Sequence, residues 1–333
     1  MKAMVIAKPA PIESQPLEAR ELAPPEPAHG ELLIRVRRCG VCRTDLHVAE
    51  GDLAPHRPSV VPGHEVVGIV ERCGPGCTRF APGARVGIAW LRSTCGSCRY
   101  CASGRENLCQ DARFTGWDHD GGYAELATVR EDFAYEIPAA LSDEAAAPLL
   151  CAGIIGFRAI RRAAVKAGST VGLYGFGGSA HLAIQVLKHW GCRVFVMSRG
   201  GRHRELAEEL GADWIGGANE QPPAPLEAAI LFAPAGEIVP FAMAALDRGG
   251  VLAIAGIHLS AIPPLDYARH LFEERELRSV TANTRADGRE FLKIAAQIPI
   301  RIHTVALPLA EANRALIMLK HDEIKGAAVL EVS

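Results

Sequence analysis

Thr170-Val171-Gly172-Leu173-Tyr174-Gly175-Phe176-Gly177-Gly178-Ser179-Ala180 is the stretch that decides the architecture. Its first five residues read as a short apolar strand. A glycine-rich turn follows, and beyond it Ala180, Ala183, Ile184 and Leu187 recur at helical spacing. A Gly-x-Gly-x-x-Gly/Ala run carries little information alone. After a strand and before an amphipathic helix it is a dinucleotide fingerprint. The glycines let the backbone approach a pyrophosphate, which sits at the helix N-terminus where amides and dipole favour anions. Gly175, Phe176, Gly177, Gly178, Ser179 and Ala180 are therefore expected to hold a nicotinamide cofactor.

Outward from this turn the same rhythm continues. Residues 193–197 read as a strand and 202–210 as a helix. Residues 228–232, 237–246 and 251–255 repeat strand, helix and strand. This alternation predicts a parallel sheet covered by helices, a doubly wound Rossmann arrangement of the α/β class. At the end of the second strand an NAD site usually carries Asp or Glu. Here Met197 is followed by Ser198 and Arg199, and no carboxylate appears before Glu205. A hydroxyl and a guanidinium suit a 2′-phosphate. The expectation is NADP, with NAD possible.

Residues 1 to about 135 have a different texture. Strand candidates at 32–36, 66–70, 85–89 and 123–129 are separated by Pro-Gly and Gly-Gly turns, which suggests a small barrel or sandwich. Residues 143–151 and 154–165 read as helices. The tail reads as a strand at 277–281, helices at 289–296 and 309–319, and a last strand at 327–332.

The chain has 333 residues, enough for two domains. Its hydrophobic fraction of 49% and charged fraction of 22% are ordinary for a globular protein. The formal net charge is −2, without runs of like charge, so no nucleic-acid or anionic-membrane partner is expected. No stretch reaches the roughly 18 apolar residues of a membrane span, and the N-terminal apolar run is too short for a signal peptide. A cytoplasmic location is the expectation. There the 10 cysteines stay reduced, and clustered ones bind metal more often than they pair.

Cys95-x2-Cys98-x2-Cys101-x7-Cys109 is the most specific of those clusters. Four thiolates so spaced can wrap a tetrahedral site, which zinc suits best. A site closed by four protein ligands leaves no position for substrate, so it reads as structural. A second, scattered set is Cys42, His64 and Cys151. Catalytic zinc keeps three protein ligands and one open position. Glu65 supplies a carboxylate beside the imidazole, and Asp45 is a candidate to orient the His64 ring.

Together these segments resemble the zinc-dependent medium-chain alcohol dehydrogenases. The likeness is carried by Cys42-Arg43-Thr44-Asp45-Leu46-His47, Gly63-His64-Glu65, the four-cysteine run, Cys151-Ala152-Gly153 and the turn at 175–180. It implies a GroES-like β-barrel catalytic domain over 1–150, completed by 286–333, with a Rossmann domain inserted at 151–285. It implies catalytic zinc on Cys42, His64 and Cys151, with Glu65 beside it. Thr44 would bond the alcohol oxygen and start a proton relay through the cofactor ribose to His47. Arg43 and Arg285 would touch the cofactor, and Trp90 and Trp117 would line the substrate pocket. The implied activity is reversible hydride transfer between an alcohol and NAD(P), in a homodimer or homotetramer with two Zn2+ per chain and an alcohol, aldehyde or ketone as substrate. Alternatives are a polyol or other secondary-alcohol dehydrogenase, or a non-catalytic zinc- and nucleotide-binding redox sensor. Ser198 departs from the acidic residue of the NAD-preferring members. Cys39, Cys73, Cys77 and Cys192 have no place in the pattern and read as neutral thiols.

Overall fold

The structure, a computed structural model, describes residues 1–333. Contacts divide the chain into two units. The first is Met1–Cys151, Ala282–Ala296 and Ile302–Ser333, and the second is Ala152–Thr281 with Gln297–Arg301.

The second unit is a six-stranded parallel sheet. In spatial order its strands are Trp214–Gly216, Arg193–Met197, Thr170–Tyr174, Leu226–Leu231, Leu246–Ile254 and Glu276–Ser279. Numbered along the unit, that order is 3-2-1-4-5-6, the doubly wound arrangement, with the glycine turn at the C-terminal end of its first strand. Val171, Leu173, Val194, Ile230 and Leu252 are fully buried, as strands covered on both faces require. Full burial of each such side chain is worth ~1.5–3 kcal/mol.

The first unit is built on a seven-stranded sheet. Its long strand Glu31–Val41 pairs with Glu65–Cys73, Leu126–Arg130 and Ala327–Glu331. The pairing with Glu65–Cys73 shifts register between Leu33 and Ile34 and again between Val36 and Arg38. Such bulges bend a strand and strengthen its twist, which is what curls a sheet towards a barrel. Arg85–Ile88, Tyr135–Glu136 and Thr304–Pro308 complete it. Two short ribbons, Lys2–Ile6 with Leu17–Glu21 and Leu91–Ser93 with Arg113–Phe114, lie outside the main sheet.

Several elements differ from the sequence reading. The helix expected over 143–151 stops at Pro148, and a π-turn, Leu149–Gly153, leads into the helix Ile154–Arg162. Pro148 cannot donate a backbone hydrogen bond, which marks the end of the regular turn. The expected helix at 237–246 is a short Val239–Ala244, and Leu246 already belongs to the next strand. The chain enters the second unit at Ala152 and returns at Ala282, where 151 and 286 were expected. The early return has local causes. Asn283 Nδ2 donates to Tyr135 Oη at 3.2 Å, and Arg285 bonds Glu106. Gln297–Arg301 stays with the second unit because Arg301 N donates to Gln185 Oε1 at 2.7 Å and Arg301 O accepts from Gln185 Nε2 at 2.9 Å.

No helix is long and apolar enough to cross a membrane.

Candidate active site

The helix Arg43–Glu50 starts where the strand Glu31–Val41 ends, with Cys42 as the extended residue between them. Asp45, in the first turn, is 1% exposed and organises what surrounds it. Its Oδ2 accepts from the Cys42 amide at 2.9 Å, as a first-turn carboxylate closing the helix start does. Its Oδ1 accepts from the Gly63 amide at 3.1 Å and bonds His64 Nδ1 at 2.9 Å. The Tyr123 hydroxyl reaches the same carboxylate at 3.4 Å. One side chain therefore ties the helix start to the chain before Glu65–Cys73. Gly63 allows this approach. Its φ is +96°, and a Cβ there would lie 2.3 Å from the Tyr123 ring.

With Nδ1 held by Asp45, His64 presents Nε2 to Cys42 and Cys151, and that atom is buried without a hydrogen-bond partner. Such an orphaned polar atom is costly unless something else satisfies it. The sulfurs of Cys42 and Cys151 stand 3.7 Å apart. Two thiolates on one tetrahedral zinc, at about 2.3 Å each, stand about 3.8 Å apart. The ligand atoms of Cys42, His64, Glu65 and Cys151 all lie within 4.8 Å of one another. The residues fit a bound zinc ion.

Electrostatics point the same way. The hydrogen bond to Cys151 leads in holding the Cys42 thiol well below its usual range, against burial and with help from His64. The same bond, with burial, pushes Cys151 well above it. Burial works against a charge on His64, but the Asp45 carboxylate and the Cys42 sulfur more than offset it and raise its pKa. A dication between the two sulfurs and the imidazole would favour the thiolate forms that bind it.

The second metal candidate is the four-cysteine lobe. Sulfur separations are 3.5 Å for Cys95–Cys109, 3.6 Å for Cys98–Cys101 and 3.9 Å for Cys95–Cys101, the edges of a tetrahedron of zinc dimensions. Amides point at the sulfurs: Cys98 N donates to Cys95 Sγ at 3.3 Å and Cys95 N to Cys109 Sγ at 3.5 Å. The amides of Cys98 and Ser97, with Cys109, push the Cys95 thiol down to about 6. Burial first of all pushes Cys109 up to about 11.

Thr44 is buried, and its hydroxyl oxygen accepts from Cys42 Sγ at 3.7 Å. His47 is half-buried one turn further along the same helix, its Nδ1 bonded to Asp52 Oδ2 at 2.8 Å. Trp90 packs edge-on to the His64 ring with centroids 5.0 Å apart. Phe114 and Trp117 stack on Trp90 at 4.9 and 6.0 Å, and His56 stacks on Trp117 at 3.9 Å. Sequence pattern points to the two tryptophans but not to Phe114, placed by the ribbon Leu91–Ser93 with Arg113–Phe114, or to His56, held by Asp118 at 2.8 Å.

The structure gives both candidate cofactor arginines carboxylate partners. Arg43 is exposed and paired with Asp322 at 2.6 Å. Arg285 lies 3.2 Å from both Glu106 and Asp132, over the Phe133 ring. In the second unit Gly175 has φ +86°, and a Cβ there would meet Ala233 N at 2.8 Å. Gly177 has open space where a Cβ would be, and the helix Gly178–His189 begins next to it. That open backbone at a helix start fits a pyrophosphate. Phe176 and Ala180 are buried, and Ser179 is half-buried. Ser198 is 6% exposed with its amide on Gly216 O at 3.0 Å, and Arg199 is exposed. Of the unassigned cysteines, Cys39 and Cys192 are buried, with burial raising both thiols, and Cys73 and Cys77 are half-buried.

Side chains so arranged place the molecule among zinc-binding, two-domain dehydrogenases. Known proteins narrow that class. Residues 28–139 match the alcohol dehydrogenase GroES-like domain, and residues 178–297 match the zinc-binding dehydrogenase domain. The chain is 55% identical to a probable alcohol dehydrogenase, AdhA, of Mycobacterium tuberculosis, over 99% of this chain and 97% of that one. It is 36% identical to an alcohol dehydrogenase of Geobacillus stearothermophilus, over 100% of both. A cobalt- and zinc-bound thermostable alcohol dehydrogenase from Pyrobaculum aerophilum superimposes with a TM-score of 0.89 at 29% identity, covering 99% of each chain. The chain belongs to the zinc-dependent medium-chain alcohol dehydrogenase family.

Proposed function

We propose that the protein interconverts alcohols with aldehydes or ketones using a nicotinamide dinucleotide, with NADP preferred. The observation that carries this reading is the buried, partnerless His64 Nε2 facing two thiols 3.7 Å apart. Cys42, His64 and Cys151 would hold a catalytic zinc, and Cys95, Cys98, Cys101 and Cys109 a structural one. Bound zinc supplies a Lewis acid that makes an alcohol proton easier to lose, and the nicotinamide takes or gives the hydride.

The chain's own part is positioning and proton handling. Asp45 fixes the His64 tautomer through Nδ1, which leaves Nε2 as a ligand. The Thr44 hydroxyl, buried beside Cys42, takes the proton the alcohol loses. His47 passes it on to solvent. Its bond to Asp52 occupies Nδ1 and leaves Nε2 to exchange the proton. Trp90, Phe114 and Trp117 form an apolar wall beside His64, which supports substrates with apolar tails over polyols. The Thr44 and His47 pair supports an enzyme over a redox-sensing binder, which needs no proton path.

Gly177 and the helix behind it would bind the pyrophosphate. Ser198 and Arg199 would take the 2′-phosphate. Exposed Phe241, Ile257, Tyr267 and Phe272 on the Rossmann unit support a homodimer or homotetramer. The test is a screen of alcohols and aldehydes with NADP and NAD side by side, before and after chelation. Expected is turnover that chelation removes and zinc restores. Turnover indifferent to metal would overturn the reading. In Ser198→Asp the ratio of kcat/KM values should move towards NAD about tenfold, ~1.4 kcal/mol. An unchanged ratio would count against the phosphate contact.

A further inference from the structure

Glu65 opens the strand Glu65–Cys73, and its cross-strand partner is Gly40 on Glu31–Val41. Directly paired residues of antiparallel strands carry their side chains on the same face. Glu65 folds over this neighbour: a methyl group on Gly40 would lie 1.8 Å from Glu65 Oε2 and 2.9 Å from its Cβ and Cδ. The three atoms nearest to that methyl all belong to Glu65. Gly40 is not among the glycines with positive φ, so the backbone there does not require glycine. What requires it is space for the carboxylate. Gly40 stands two residues before Cys42, and the Glu65 carboxylate lies within 4.8 Å of the ligand atoms of Cys42, His64 and Cys151.

We propose that Gly40 is a positioning residue: its missing side chain is the berth that holds the Glu65 carboxylate beside the three metal ligands rather than on the metal. This rests on the reading of Cys42, His64 and Cys151 as ligands. A side chain at 40 evicts the carboxylate. A buried carboxylate seeks the nearest positive charge, because leaving it unpaired is expensive. In a loaded site a cation lies within the same cluster of ligand atoms, so eviction turns a standby carboxylate into a standing ligand and closes the position substrate needs.

The experiment uses holoenzyme with cobalt(II) in the Cys42 site. Visible spectra and the rate of metal release to a chelator are recorded for the wild type, Gly40→Ala, Glu65→Ala and the double variant. Gly40→Ala should lose ligand-field absorption intensity, the mark of a higher coordination number. It should release metal about tenfold more slowly, the lower end of what partners around a metal ligand control. Alcohol turnover should fall by a similar factor. Adding Glu65→Ala should abolish all three effects of the alanine at 40. If Gly40→Ala alone does not fold, the double variant must fold and match Glu65→Ala. A Gly40→Ala spectrum and release rate equal to the wild type would overturn the proposal. So would effects that persist in the Glu65→Ala background, or loss of the double variant as well. Cobalt absent from the wild-type Cys42 site would instead overturn the ligand reading beneath it.

Discussion

The two cysteine clusters arrange the same ligand chemistry in opposite ways. The lobe at 95–109 gathers its thiols from a single loop, and it is partly exposed: Cys95 is open to solvent and Cys109 buried. Its sulfurs are supported by amides of its own backbone. The Cys42 site draws its candidate ligands from a helix start, the residue before a strand and the π-turn Leu149–Gly153, and His64 within it has no exposure at all. Its support is a side chain, Asp45, that reaches across elements. A four-thiolate lobe completes itself and leaves nothing for substrate. A three-ligand site needs the rest of the barrel to form it, and its incompleteness is what chemistry can use.

That contrast can be broken by removing one thiol from each side. Cys151→Ser should lower kcat/KM for any accepted alcohol by at least ~10³-fold, as loss of a group stabilising the transition state does. Thermal stability should change little, and steady-state kinetics with calorimetry read both. Cys98→Ser should do the reverse. It should cost about 2–3 kcal/mol, roughly 4–12 °C in Tm, with the catalytic metal retained. Equal kinetic damage from both variants would erase the distinction.

A smaller effect sharpens the role of support. Asp45→Asn keeps the shape but weakens the hold on His64 Nδ1, and metal affinity at the Cys42 site should fall about 10–100-fold by competition with a chelator. The four-cysteine lobe should keep its affinity. The smallest effect concerns how the lobe is anchored. Glu106, between Cys101 and Cys109, accepts from Arg285 N at 3.0 Å and from its guanidinium at 3.2 Å. Burial opposes ionisation of Glu106, but these bonds outweigh it and lower its pKa. A depressed carboxyl stabilises the fold above its unfolded value of about 4.3, and that contribution fades as pH falls through the folded value. Glu106→Gln should cost about 1 kcal/mol at neutral pH and flatten the acid limb of stability, read by denaturant titration from pH 7 downwards. An acid limb unchanged from the wild type would remove the carboxylate from the account.

The same division explains what could be read from the sequence. The glycine turn and the four-cysteine lobe were legible because their residues are neighbours in the chain, so spacing alone carries the geometry. Cys42, His64 and Cys151 read as a candidate set from their ligand chemistry, and family resemblance joined them, since nothing local says that the π-turn after Pro148 faces the end of Glu31–Val41. Gly40 looks like any glycine in a strand until the register sets it opposite Glu65. Phe114 became part of the aromatic wall only once Leu91 was paired with it. Arg43 reads as a candidate cofactor contact, and its partner Asp322 lies far along the chain. Register and long-range pairing are tertiary facts, which local periodicity does not encode.

On this reading one thiol set would close on a metal for stability and the other would hold a metal for catalysis. The most direct measurement is zinc per chain in the wild type and in Cys42→Ser, with alcohol oxidation assayed on the same samples. Expected are two zinc ions falling to one, with turnover lost and the fold retained. Two zinc ions in Cys42→Ser, or turnover that survives with one, would contradict it.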